Sequence, residues 1–320
     1  GPEIPVGETK NKYMELGPRD RLSQAFWQEQ QRGRTIESPF GDVVHLDLRH
    51  LGEKKLLERL PFICELSRAY MGVDPVKEPI PVRPVVHYTM GGIETDGLGA
   101  TRMPGLFAVG ECASNGLHGA NRLGSNSLCE IVVFGKVAGE QAALFAKQHS
   151  HIDSNILYRQ GMEVVAKSMS LMENGGTENP ADIRNEMGDA MESGVGIYRT
   201  AETMQNTIDK LKELKERYKR VRVADKSSVF NTDWLYTIEL GFLLDVAESV
   251  AHSAIQRKES RGSHQRIDGF EERDDVNYLK HSLAFRNENG APTIEYSDVK
   301  ITKSQPAKRV YGSEAEKGAK

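Results

Sequence analysis

His118-Gly119-Ala120-Asn121-Arg122-Leu123-Gly124-Ser125-Asn126-Ser127-Leu128 is the stretch on which the reading of this chain turns. It is a glycine-rich turn that runs directly into a helix expected over 127–147. The first amides of a helix have no intrahelical acceptor, and the positive end of the helix dipole lies there. Such a turn suits an anionic or electron-rich ligand. A loop with ordinary helix caps fits the same residues, so both readings stand at this point. No G-x-x-x-x-G-K-[ST] and no G-x-G-x-x-G occurs in the sequence, which argues against a nucleotide P-loop and leaves this chain without a dinucleotide fingerprint of its own.

Upstream of that turn, Val85–Met90 and Leu106–Val109 read as short strands. The spacing of Leu128, Ile131, Val132, Phe134 and Val137 predicts the buried side of the helix. Further upstream, Pro18 suits a first helical position and opens a helix over Arg19–Arg32. Alternation over Val43–Leu48 predicts a strand, and residues 53–72 a helix interrupted at Pro61. Four prolines in Val76–Pro84 exclude a helix or a central strand and suggest an extended connector.

Downstream, residues 151–256 read as helical throughout. Asn179-Pro180 is a helix start, with Ile183, Met187 and Met191 as its stripe and Gly194 as its end. A second helix runs from Thr200 to about Val221 on Met204, Ile208, Leu211, Leu214 and Tyr218, with Glu213/Arg217 and Glu216/Arg220 as i, i+4 pairs. A third begins near Asn231 and carries Leu235, Ile238, Phe242 and Val246. These stripes serve packing in a bundle. Ser282–Arg286 and Thr293–Tyr296 read as a hairpin around Asn287–Gly290, and Gly312–Lys320 as a solvated tail.

The bulk properties narrow the function. Among 320 residues, 42 Lys+Arg balance 46 Asp+Glu for a net charge of -4, which gives no reason to expect nucleic acid as a partner. No apolar run approaches the ~20 residues that span a bilayer, so membrane attachment would come through another protein. The three cysteines, Cys64, Cys112 and Cys129, form no CxxC pair. They fit a reducing compartment, and no metal site is expected. The start at Gly1-Pro2-Glu3 reads as that of a fragment or a processed piece.

Three motifs, in order and spacing, carry a resemblance. They are His87-Tyr88-Thr89-Met90-Gly91-Gly92-Ile93, then Gly105-Leu106-Phe107-Ala108-Val109-Gly110-Glu111, then His118 to Leu128. With Leu16-Gly17-Pro18-Arg19-Asp20 upstream and Arg257-Lys258-Glu259-Ser260-Arg261-Gly262-Ser263-His264 downstream, the chain resembles the succinate dehydrogenase/fumarate reductase flavoprotein family over essentially its whole length. Thr89, the wording Gly110-Glu111-Cys112-Ala113-Ser114 and Leu123-Gly124-Ser125 favour the quinol:fumarate reductase branch. So does Tyr296-Ser297-Asp298-Val299-Lys300 leading to Arg309-Val310-Tyr311-Gly312.

The resemblance implies an α+β chain. It would comprise the second half of a capping domain (1–86), the C-terminal segment of a FAD-binding α/β domain (87–150), a helical bundle (151–256) and a small C-terminal α/β region (257–320). The FAD fingerprint and the first half of the cap would lie outside it, and the piece alone is expected to be inactive. The family reduces fumarate to succinate with FAD. Arg19 matches its general acid, although an exposed arginine beside Asp20 is the plain reading of that position. His87 and Arg122 match the groups that hold the substrate carboxylates. Glu111, Gly110, Gly119, Ser127 and Leu128 match positions facing FAD, and His118 is either a flavin neighbour or a loop support. The partners implied are an iron-sulfur subunit and membrane anchor subunits, at the cytoplasmic face of a bacterial inner membrane, in anaerobic respiration. Succinate dehydrogenase and L-aspartate oxidase are the enzymatic alternatives. A non-catalytic helical scaffold is the alternative of another class.

Overall fold

The computed structural model describes residues 17–39, 41–149, 153–288, 290–303 and 305–307. The described residues fall into two compact units that meet in the sequence between His87 and Tyr88. The tail and the Arg309–Gly312 motif lie outside the described residues.

In the first unit, α1 (Arg19–Gln31) follows directly on Pro18, whose carbonyl accepts the Leu22 amide at 3.2 Å. Phe26 is its buried residue. The strands β1 (Val44–Leu46) and β2 (Ile80–Val82) pair antiparallel, with His45 opposite Pro81. The proline-rich stretch is therefore more than a connector. In a two-stranded sheet every strand is an edge, and an edge tolerates the missing amide of Pro81. Between the strands lie α2 (Glu53–Arg59), α3 (Pro61–Leu66) and a π-helical turn at Ser67–Met71 that ends on Gly72. Pro61 breaks the helix at Leu60, as expected. Leu48, Leu56, Cys64 and Ile80 form the small core.

The second unit begins with a loop-rich segment. Its strands are β3 (Ile93–Glu94), parallel to β4 (Ala113–Ser114). The strands expected at Val85–Met90 and Leu106–Val109 do not form. Val86 is 93% exposed, and Phe107 makes only an isolated bridge to Ala100. A strand needs a continuous hydrogen-bonding neighbour; residues 106–108 meet only the short stretch 99–101, and no described segment pairs with Val85–Met90. The helix α4 (Asn126–Gln148) forms where expected, but its expected buried side is largely exposed, with Val132 72% and Leu128 64% accessible. Only Glu130 and Ala138 of this helix are buried.

Next come α5 (Ser154–Glu173), α6 (Pro180–Val195), α7 (Ala201–Tyr218) and α8 (Thr232–Gln256). Asn179, Thr200 and Asn231 each cap a helix by accepting a first-turn amide. α6 continues one residue past Gly194 and ends at Gly196. Ile183, Met204, Leu211, Leu214, Leu240 and Leu244 form the main core. The stripe expected on α8 is the wrong face: Phe242 is 66% exposed, and Thr237, Leu240, Leu244, Ala247 and Ala251 point inward. A helix apolar on most sides gives periodicity little to discriminate, and here the small residues mark the packed side. Glu213 reaches Arg217 at 3.4 Å, whereas the Glu216 carboxylate pairs with Lys219, not Arg220.

After α8 the described residues hold no helix, only the hairpin β5 (Lys280–Phe285) and β6 (Thr293–Asp298). Among the described residues no helix is long and apolar enough to cross a membrane.

Candidate active site

The glycine-rich turn and the segment before it are fixed by close backbone contacts. Gly110 takes a left-handed conformation (φ 75°) at the start of a short helical turn, Gly110–Cys112. A Cβ on Gly92, also at positive φ, would sit 2.4 Å from the Cys112 carbonyl oxygen, so only glycine permits that approach. From the C-terminal side, the Ser263 amide and hydroxyl both donate to the Ala120 carbonyl, each at 3.0 Å. The motif around Ser263 is tied by Glu259, which is fully buried and accepts from Arg257 at 2.6 Å, from Arg261 at 2.9 Å and from the Asp274 amide at 2.9 Å. A buried carboxylate is tolerated only with such satisfaction.

Behind this clamp lies a second buried pair. Arg199 donates to His264 Nδ1 at 2.9 Å, and His264 Nε2 lies 3.0 Å from the Arg257 carbonyl. A guanidinium only donates, so Nδ1 is unprotonated and the ring is neutral. Burial first, then the Arg199 charge, push the His264 imidazole down to about 4. Burial and Arg266 likewise lower Arg199 to about 10.

Within the turn, Arg122 lies on the Tyr88 ring, its guanidinium carbon 4.3 Å from the centroid. Such stacking favours an arginine over a lysine. Arg122 Nη1 donates to the Leu123 carbonyl at 3.1 Å, but its Nε is buried without a hydrogen-bond partner. Beneath, Tyr88 donates its phenol proton to Glu130 Oε2 at 3.0 Å, and His118 Nε2 lies 2.7 Å from the same oxygen. His118 packs edge-on against Tyr88 with centroids 5.6 Å apart. Burial and the Glu130 carboxylate raise the Tyr88 phenol, so it stays a donor. His118 Nδ1, like Arg122 Nε, is buried and unpartnered.

The other expected site residues sit as follows. Glu111 is exposed and accepts the Thr89 amide at 2.8 Å. Gly119 is exposed at φ 53°. Ser125, at φ 64°, precedes the first turn of α4 without a side-chain cap. Ser127 is half-buried there, and the Leu128 side chain is exposed. The Asn126 and Leu128 amides are already taken by the Leu123 and Ser125 carbonyls, so fewer first-turn donors are free than the sequence suggested. Arg19 and His87 are exposed and belong to the first unit, while Arg122 and the other expected site residues belong to the second. Among the described residues no cluster of metal-ligating side chains occurs.

Sequence reasoning missed Tyr88 and Glu130. Glu130 had a signal: it is a lone carboxylate in the apolar run Leu128–Val133. Tyr88 had only its place beside His87.

Two features test the fit to a flavin and a dicarboxylate. An unpartnered, buried Arg122 Nε is one donor left over for a carboxylate oxygen. Glu111 keeps one oxygen without a partner among the described residues, which suits a ligand hydroxyl. Both fit.

Residues 6–128 match the FAD binding domain, and residues 184–311 match the fumarate reductase flavoprotein C-terminal domain. The chain is 68% identical over 317 residues to the fumarate reductase flavoprotein subunit of Haemophilus influenzae, covering 99% of this chain and 53% of that protein. It is 40% identical over 286 residues to the succinate dehydrogenase flavoprotein subunit of Coxiella burnetii, covering 85% of this chain and 48% of that protein. A solved structure of Escherichia coli quinol fumarate reductase superposes with a TM-score of 0.89 at 67% identity, covering 97% of this chain and 53% of that one. The chain thus spans about half the length of the relatives it matches. On these matches and this geometry, the chain belongs to the fumarate reductase/succinate dehydrogenase flavoprotein family, whose cofactor is FAD.

Proposed function

We propose that the chain serves in the flavoprotein subunit of a quinol:fumarate reductase and holds the substrate side of its active site. One observation carries this reading: Arg122 is stacked on Tyr88 with its Nε buried and unpartnered, a guanidinium edge ready for a carboxylate. Identity of 68% to a fumarate reductase flavoprotein against 40% to a succinate dehydrogenase supports the branch.

FAD, when bound, supplies a hydride. The chain's own residues do the rest. Arg122 grips one carboxylate of fumarate through its planar fork, and His87 hydrogen-bonds the other. Two fixed carboxylates orient the alkene, and such orientation lowers a barrier by several kcal/mol, on the order of a thousandfold or more in rate. Arg19 gives a proton to the alkene carbon that does not receive the hydride, so fumarate gains one hydride and one proton and becomes succinate. Glu111 takes a cofactor hydroxyl, Gly110 and Gly119 allow close backbone approach, and Ser127 and Leu128 present the start of α4 to the flavin. Residues 1–86 belong to the second half of a capping domain, 87–150 to the C-terminal segment of the FAD-binding domain, 151–256 to the helical bundle and 257–320 to the C-terminal region. An iron-sulfur subunit and membrane anchors complete the complex, and the subunit sits peripherally at the cytoplasmic face of the membrane.

The test is fumarate-dependent oxidation of a reduced viologen by the full-length, FAD-loaded flavoprotein, beside its Arg19→Gln variant. Rapid turnover in the parent with near-total loss in the variant is the expected result. Oxidation of L-aspartate in place of fumarate reduction would move the chain to the aspartate oxidase branch. A flavin-loaded protein inert to both would leave a scaffold.

A further inference from the structure

Glu130 is the one buried carboxylate on α4, and nothing in the proposed reaction uses it. It lies one turn inside the helix start. Side chains on a helix lean toward its N-terminus, so Glu130 reaches back to the turn that carries Arg122. Its Oε2 takes both the Tyr88 phenol and His118 Nε2. A single oxygen thereby fixes two rings that stand edge to face at 85°. The Tyr88 ring so fixed is the platform beneath Arg122.

An arginine on a free loop would sample many rotamers, and binding would have to order it at a cost. Here the ring beneath and the Leu123 carbonyl on Nη1 leave the guanidinium one plane. The edge left over is the one that lacks a partner.

We infer that Glu130 is a positioning residue for Arg122: bonded to Tyr88 and His118, it locks the aromatic platform that aims the guanidinium at a substrate carboxylate. The inference rests on the reading of Arg122 as a carboxylate grip. Glu130 touches neither substrate nor cofactor. Its removal acts on dicarboxylate affinity and leaves flavin content alone. Tyr88→Phe keeps the platform and deletes one bond. Glu130→Gln keeps shape and an acceptor oxygen.

The experiment is titration of the full-length, FAD-loaded flavoprotein with malonate, followed by the flavin absorbance change. The variants are Arg122→Ala, Glu130→Ala, Glu130→Gln, Tyr88→Phe and the double change Glu130→Ala with Tyr88→Phe. A hydrogen bond's typical worth sets the scale: Tyr88→Phe weakens malonate binding about 5-fold, and Glu130→Ala by about 10-fold or more. The double change is no weaker than Glu130→Ala alone, because the two residues act through one bond. Glu130→Gln recovers most of the loss, and FAD content per protein is unchanged throughout. Should Glu130→Ala not fold, Tyr88→Phe decides the question alone. Wild-type malonate affinity in Tyr88→Phe, with Arg122→Ala blind to malonate, overturns the role of Glu130 and keeps that of Arg122. Losses that simply add in the double change also overturn it. Unchanged affinity in Arg122→Ala sinks the carboxylate-grip reading itself.

Discussion

The bundle of α6, α7 and α8 and the segment from Tyr88 to the end of α4 use similar residues to opposite ends. In the bundle, Leu211, Leu214, Leu240 and Leu244 are buried against one another, and each helix start is capped by its own residue. In the other segment, α4 spends Leu128, Ile131, Val132 and Val133 on exposed surface, and two buried polar atoms of the turn go unpartnered. A face that is apolar, ordered and uncovered is a face meant for contact. The bundle closes its inner faces on one another, though α8 leaves Leu235, Phe242 and Val246 exposed, whereas the segment that carries Arg122 buries little of its own apolar surface and leaves its face open for something else. In the proposed function that is FAD, a dicarboxylate and the rest of the FAD-binding domain.

Four substitutions or conditions sharpen this contrast, from the largest effect to the smallest. Leu211→Ala, at a fully buried bundle position, should cost about 2–5 kcal/mol in urea unfolding, the range for buried leucines. A loss below about 1 kcal/mol would mean that the bundle core is not the stable part. The second is acid. The folded His264 imidazole is held at about 4 against an ordinary 6.5, so the unfolded chain takes up the proton first. Its contribution is complete above pH 6.5 and is lost as pH falls from there through 4, about 3 kcal/mol in all. Unfolding free energies measured between pH 7 and 4 should show this slope, and His264→Asn should flatten it.

The third is Gly262→Ala. Its Cβ would stand 2.3 Å from the Ala120 carbonyl, at φ 59°, so the clamp must shift. A cost of about 1–3 kcal/mol is expected, with faster amide exchange across the turn. Unchanged exchange at residues 118–124 would show that the clamp does not hold it. The fourth and smallest is Val132→Ser on the exposed face of α4. It should change the stability of this chain by no more than about 0.5 kcal/mol. In the full-length protein the same change should lower FAD retention, which a spectroscopic flavin-to-protein ratio reads. Equal retention would mean that this face is ordinary surface.

How much of this was legible in the sequence follows the same division. The bundle was readable because its signals are local: Asn179-Pro180, Thr200 and Asn231 cap helices wherever they fall. The stripe of α7 matched its core because the opposite face is charged. α8 misled, since Leu235, Phe242 and Val246 are as apolar as the residues that face inward, and only tertiary packing chooses between them. The strands near Val85 and Leu106 failed for a different reason. β-structure is decided by the neighbour: residues 106–108 meet only the short stretch 99–101, and no described segment pairs with Val85–Met90. At the site, the family motifs marked Arg122 and the turn. Tyr88 and Glu130 stayed hidden because their meeting joins residues 42 positions apart. The clamp of Ser263 on Ala120 joins residues 143 apart, and no local pattern reports it.

The measurement that bears most directly on the account is a single turnover. The full-length flavoprotein is reduced, mixed rapidly with fumarate, and the return of oxidised flavin absorbance is followed in the wild type and in Arg122→Ala. Reoxidation at the rate set by fumarate in the wild type, slowed about 100-fold or more by loss of the charged carboxylate contact, is the predicted result. Equal reoxidation rates in the two proteins would contradict the assignment of Arg122, and with it the substrate side of the site.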